Sequence, residues 1–233
     1  DGLWVVVRGW GWNDHSWLLF AGKVATFADL DDVLTHNVWT SQNSNGVRCG
    51  VIDSRHRRDE CVEYVRRRPA IKLGEGVDRI GPLDFTTHKL ERHPTTGAYL
   101  KQSVLIWSIT VGRFKDSLAA KMRDPATWHL PEDVTDDYRR QATAEHKVRK
   151  RVRNREREIW VTKPGRDANH LFDCEVYALA AAKMIRVELL RQGDESSPGA
   201  KMPPAPSARR PQGPPPRRRE RGERSSFPRL GGE

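Results

Sequence analysis

Between Val47 and Leu73 the chain reads as strand, loop, helix, strand, and no other stretch constrains the fold so tightly. Val47-Arg-Cys-Gly-Val-Ile-Asp53 is a short apolar run that ends on a carboxylate. Arg58 to Arg68 follows, with Cys61, Val62 and Val65 at helical spacing, and Pro69 ends it. Ala70-Ile-Lys-Leu (70–73) reads as the next strand. Two strands joined through a helix lie parallel, and parallel strands need helices on the sheet faces. The fold class is α/β.

The flanking segments extend this pattern. Leu3 to Trp12 and Trp17 to Val24 are β-branched and aromatic, and Asn13-Asp14 between them signals a hairpin. Residues 28–34 suit a short helix, closed by the polar stretch Thr40 to Gly46. Gly74 to Gly97 reads as loop-rich, Tyr99 to Val111 as strand and Phe114 to Met122 as helix. Asp136 to about Arg153 reads as a helix that becomes very basic, Ile159 to Thr162 as a strand, and Asn169 to Arg191 as an apolar helix. The alanines 180–182 in that helix allow close approach to a sheet.

Charge separates a tail from the folded part. Nine basic and three acidic residues lie between 201 and 233, so that segment holds six of the ten net positive charges. Nine of the 15 prolines fall between Pro198 and Pro228. Backbone constraint and self-repulsion both oppose a packed core there. The expected division is a folded domain over 1–192 and a disordered basic tail over 193–233 that can cling to phosphates. No apolar run is long enough to span a membrane, and no basic-then-apolar leader opens the chain, so a cytoplasmic setting is expected. Cys49, Cys61 and Cys174 are far apart and read as small buried hydrophobes.

Two carboxylates stand out chemically. Asp53 sits at the carboxyl end of a buried-looking strand, where open α/β sheets place ligands. Asp173 lies near the start of an apolar helix, on the face of Phe172, Val176, Tyr177 and Ala180. A carboxylate on such a face is costly unless a cation meets it. It either caps its own helix or pairs with an arginine, or it shares a hard divalent ion with Asp53. His170, one helical turn before Asp173, is a candidate for handling protons. Cations are plentiful: Arg55, Arg57 and Arg58 after Asp53, Lys72 in the next strand, and the run Lys147, Arg149, Lys150, Arg151, Arg153, Arg155, Arg157. A solvated charged face and a DNA-phosphate face both fit that run. No H-E-x-x-H, G-x-S-x-G or P-loop pattern occurs, which disfavours zinc protease, serine hydrolase and self-contained ATPase chemistry.

Three segments together, VRGWGWNDHSWLL (7–19), VIDSRHRRDECVEYVRRRPAIKL (51–73) and RDANHLFDCEVYALAAAKM (166–184), resemble the carboxyl-terminal nuclease domain of the lambda-like (GpA-type) large terminase subunits of tailed phages. The match runs from residue 3 to about 191 and leaves out the proline-arginine tail. The resemblance implies an RNase H-like mixed sheet flanked by helices. It implies an endonuclease using Mg²⁺ or Mn²⁺, with two ions, that cuts concatemeric double-stranded viral DNA at packaging. Asp53 and Asp173 match the family's second and third metal-binding carboxylates, and Lys72 matches the lysine of its I-K-G segment, although Leu73 intervenes here before Gly74. The implied partners are an upstream ATPase domain of the same polypeptide, a small terminase subunit and a portal protein, in the bacterial host cytoplasm.

The family's first catalytic Asp lies on a strand just before the hairpin, a segment not present ahead of Asp1. The chain is therefore expected to be weak or inactive by itself and to cut more strongly when extended upstream by that strand. A DNA-binding or motor-docking module without chemistry, and another RNase H-like nuclease such as a resolvase, are the competing readings.

Overall fold

The computed structural model describes residues 2–35, 46–78, 81–152, 155–166 and 168–191; the expected tail lies outside the described residues. The chain opens with β1 (Leu3–Trp10) and β2 (Ser16–Val24), antiparallel from Leu3↔Val24 to Trp10↔Ser16. Asn13 and Asp14 turn the chain with φ of 52° and 64°. That left-handed region is open to Asn and Asp because their short polar side chains bond locally. Helix α1 (Phe27–Thr35) starts on a reciprocal cap, in which the Thr26 amide donates to Asp29 and the Asp29 amide to the Thr26 hydroxyl.

The strand-helix-strand unit forms as expected: β3 (Gly50–Asp53), α2 (Arg58–Arg67) and β4 (Ile71–Val77), with β3 parallel to β4. Strands β5 (Phe85–Arg92) and β6 (Tyr99–Thr110) complete a sheet of order β3-β4-β6-β5, in which β5 alone is antiparallel to its neighbour. After α3 (Val111–Lys121), the two-residue β7 (Trp128–His129) joins β2 in parallel. Then come α4 (Asp136–Ala142), the β8 (Glu145–Val152) and β9 (Arg155–Thr162) hairpin, and α5 (His170–Met184).

Helix α5 is the central support. It packs against β1 of the first sheet and β3 of the second, with α3 and α4 beside it. Ala180, Ala181 and Ala182 are buried in it, as close packing requires. One apolar cluster joins Val5 and Val7 of β1 to Cys61, Val62, Ile71, Leu73 and Ile106 around the second sheet. Another gathers Ile109, Phe114, Leu118, Phe172 and Val176 about α5. Each such side chain contributes roughly 1.5–3 kcal/mol on burial. The architecture is a mixed α/β one with sheets flanked by helices. Among the described residues, β1 and β3 each have one edge without a partner strand.

Several expectations need correction. Residues 74–97 are not mainly loop, since β4 continues to Val77 and β5 fills 85–92. Gly74 lies within β4 because the strands meet closely there: a Cβ on it would stand 2.4 Å from Val51 Cγ1. The helix expected from Asp136 to about Arg153 stops at Ala142, and the basic run is a strand. Pairing with β9, from Glu145↔Thr162 onward, holds that segment extended. Helix α5 ends at Met184 rather than Arg191, and Arg186 follows with φ of 58°. No described helix is long and apolar enough to cross a membrane.

Candidate active site

The carboxyl end of β3 and the first turn of α5 bring the two singled-out carboxylates into mutual electrostatic reach. Asp53 ends β3 opposite Gly74 of β4, exposed, and its Oδ1 accepts from the Arg55 amide at 3.0 Å. Asp173 is half-buried in the first turn of α5. Its carboxyl is raised above the usual carboxylate range, first by burial, against the pull of the Lys115 ammonium, and further by the charges of Glu145 and Asp53. Tyr177, one turn on, has its hydroxyl pushed up by burial and then by the charges of Asp53 and Asp173, with Arg55 opposing. The Cys174 thiol is pushed up by burial and by the carboxylates of Asp173, Glu175 and Asp53. Asp53 and Asp173 thus act on the same groups.

A second ring of polar residues holds Asp173 in place. Lys115 of α3 lies 3.2 Å from Asp173 Oδ1 and donates to both oxygens of Glu145 at 2.7 Å. The Asn169 amide donates to Glu145 Oε1 at 2.6 Å and to Asp173 Oδ2 at 3.1 Å. Asp173 therefore meets a cation, as burial on an apolar helix demanded. Lys115, Glu145, Asn169 and Tyr177 were not picked out as site residues from the sequence. The i, i+4 spacing of Asn169 and Asp173 was a local signal that could have found one of them.

The other nominated residues are spread out. His170 is exposed and stacks on Trp4, with ring centroids 5.3 Å apart. Lys72 lies in β4 two residues before Gly74, the partner of Asp53, and its ammonium donates to the Pro69 carbonyl at 2.7 Å. Arg55 is exposed beside Asp53 and Tyr177. Arg57 bonds Glu60, whereas the Arg58 Nε is buried without a partner among the described residues. Lys147 pairs with Asp116 and Glu158, and Arg149 with Glu158. Lys150 and Arg151 are exposed on the same hairpin, and Arg153 lies outside the described residues. Cys61 is buried, Cys49 and Cys174 are half-buried, and all three are free.

Among the described residues no three His, Cys, Asp or Glu are gathered so as to cage an ion by themselves. The pair Asp53 and Asp173 still suits a hard cation. Its donors are all oxygen, it carries unbalanced negative charge, and Mg²⁺ commonly takes only one or two carboxylates, completing its shell with water and phosphate.

The raised carboxyl of Asp173 carries a stability consequence. A group whose folded value is raised opposes folding at any pH above that value, and the penalty fades as pH falls to the ordinary carboxylate value near about 4. Asp173→Asn is therefore expected to melt at the same or a higher temperature than the parent at pH 7, with the difference shrinking in acid. A drop of several degrees at pH 7 would show that Asp173 is held for structural reasons.

A family model described as terminase large subunit gpA, endonuclease domain, matches residues 1–194. No curated protein and no solved structure matches the chain.

Proposed function

Since the chain belongs to the terminase large subunit gpA endonuclease-domain family, a nuclease role in phage DNA packaging is its setting, and we propose that it hydrolyses phosphodiester bonds of double-stranded viral concatemers with Mg²⁺ or Mn²⁺ held by Asp53 and Asp173. The observation that carries this reading is that α5 packs on β3, with Asp173 in the first turn of the helix and Asp53 at the carboxyl end of the strand, from parts of the chain far apart in sequence. Two such ions, once bound, would supply an activated water and a counter-charge for the departing oxygen.

The chain's own residues have separate tasks in this reading. Asp53 and Asp173 offer hard oxygen donors. Lys115 and Asn169 hold Asp173 in one orientation while leaving part of its carboxylate open to solvent. Arg55, exposed next to Asp53, neutralises the scissile strand's phosphates. His170, stacked on Trp4, and Lys72, bonded to the Pro69 carbonyl, stay auxiliary candidates. Of the basic residues, Arg57, Arg58, Lys147, Arg149, Lys150, Arg151 and Arg153 form the pool from which backbone contacts come, and the 193–233 tail adds a sequence-independent arm.

An RNase H-like arrangement belongs to the same proposal. It is supported by the packing of α5 on both β1 of one sheet and β3 of the other. The proposed partners are an ATPase domain of the same polypeptide, a small terminase subunit and a portal protein, in the host cytoplasm.

The test is nicking of supercoiled plasmid by the chain in Mg²⁺, in Mn²⁺ and in EDTA. Divalent-dependent nicking is expected. Cutting that survives EDTA contradicts the metal chemistry. Failure to cut while DNA is still bound would favour a binding or motor-docking module instead.

A further inference from the structure

The β8–β9 hairpin distributes its charges unevenly between its two faces. In an antiparallel ribbon the directly opposed residues share a face, and successive pairs alternate. One face carries the pairs Lys147↔Trp160, Arg149↔Glu158 and Arg151↔Glu156. Two of its three cations are answered by ion pairs: Lys147 Nζ lies 2.9 Å from Asp116 and 3.3 Å from Glu158, and Arg149 Nε lies 3.5 Å from Glu158, while Arg151 stands directly across from the acidic Glu156. Glu145, on the same face, is bound to Lys115, and Trp160 donates to Asp116 at 2.9 Å. That face is the root by which the ribbon is fastened to α3.

The opposite face carries His146↔Val161, Val148↔Ile159 and Lys150↔Arg157. None of those six residues is acidic. Lys150 and Arg157 are both exposed, stand directly across from each other, and have no ion-pair partner among the described residues. Like charges directly opposed weaken a ribbon, and a two-stranded ribbon is only marginally stable to begin with. A phosphate bound between the two cations would remove that repulsion. The half-buried Val148 and Ile159 one row away give the two long side chains a firm apolar base.

We propose that Lys150 and Arg157 form a clamp for the phosphate backbone of DNA, and that Lys147 and Arg149, from the same basic run, serve to fasten the hairpin instead. This rests on the reading that DNA is the substrate, and it adds which face of the hairpin the DNA meets. The occupant is a nucleic-acid backbone, in keeping with the endonuclease-domain family to which the chain belongs, and an acidic protein is the alternative occupant that the test separates from it.

The experiment measures binding of a short fluorescent duplex to the full chain in EDTA across a salt series, which separates binding from cleavage. Lys150→Gln with Arg157→Gln is expected to weaken binding about tenfold or more at low salt and to reduce the slope of log K against log salt by about two. The same pair should melt no lower than the parent. Lys147→Gln with Arg149→Gln, an equal change of charge, should weaken binding less and lower the melting temperature, since it removes ion pairs. Equal affinity losses in the two pairs, or an unchanged slope in the first, would overturn the clamp while leaving a DNA-binding parent. Retention of duplex binding by the first pair with loss of binding to poly-glutamate would overturn it in favour of an acidic protein. A parent that binds no duplex would overturn the DNA reading itself.

Discussion

Replacing Asp53 by Asn is expected to cut divalent-dependent DNA cleavage roughly a thousandfold, about 4 kcal/mol in the barrier, while leaving duplex affinity within a small factor of the parent. Asn keeps the size and one oxygen but removes the charge that a hard ion requires. Asp53 is exposed, and the hydrogen bonds it accepts from the Arg55 amide and the Tyr177 hydroxyl are ones an Asn side-chain oxygen can also accept. The fold should therefore tolerate the change. Asp173→Asn should lose a comparable share of activity, and the double variant little more than either single one, because two ligands of one centre act as a unit. Loss of cleavage in proportion to a loss of folded protein would mean that the residues are structural. Full activity in both single variants would remove the proposed chemistry.

The largest stability effect is expected two residues further along α5. Glu175→Ala should destabilise the domain by about 3–5 kcal/mol, a large fraction of a usual total stability of roughly 5–15 kcal/mol. Glu175 accepts from Arg8 Nε at 2.6 Å, with both side chains fully buried, and from the Tyr138 hydroxyl at 2.7 Å. The Arg8 guanidinium also lies over the Trp128 ring, 3.2 Å from its centroid. Removing the carboxylate would leave the Arg8 charge without a counter-ion in the interior, at the point where α5, α4 and the first sheet meet. A fall in melting temperature of about 10 °C or more follows. Arg8→Met together with Glu175→Leu should recover a good part of it, since deleting both charges also deletes their desolvation cost. A loss below about 1 kcal/mol for Glu175→Ala would show that water or relaxation reaches this pair.

Asp173 and Glu175 show how far the sequence can be read and where it stops. Both are acidic residues on one apolar helix, and periodicity alone does not assign one to a fully buried ion pair and the other to a partly exposed one. Asp173 was singled out with a cation expected beside it, and Lys115 is there. The identity of that cation was hidden, because Lys115 comes from α3, a helix whose sequence carries no chemical signal. Glu145 was equally hidden at the head of a basic run. The strand-helix-strand unit was legible because Asp53, the spacing of Cys61, Val62 and Val65, and Pro69 all agree locally. The helix expected to run on to about Arg153 gives way to β8 after Ala142, because the lysines, arginines and valines there satisfy a helical and a strand period at once. Its strand character depends on pairing with β9, a non-local fact. The glycines of β4 looked like loop until Val51 was seen to fill the space a Cβ at Gly74 would occupy.

The central claim is that Asp53 and Asp173 share a cation. The most direct measurement is a crystal of the chain soaked in Mn²⁺, with the ion located by its anomalous scattering. The account predicts a peak within coordination distance, about 2.2 Å, of an oxygen from each of the two carboxylates, with the peak absent in Asp53→Asn. Two carboxylates left without an ion at saturating Mn²⁺, or an ion bound to either one alone and turned away from the other, would contradict it.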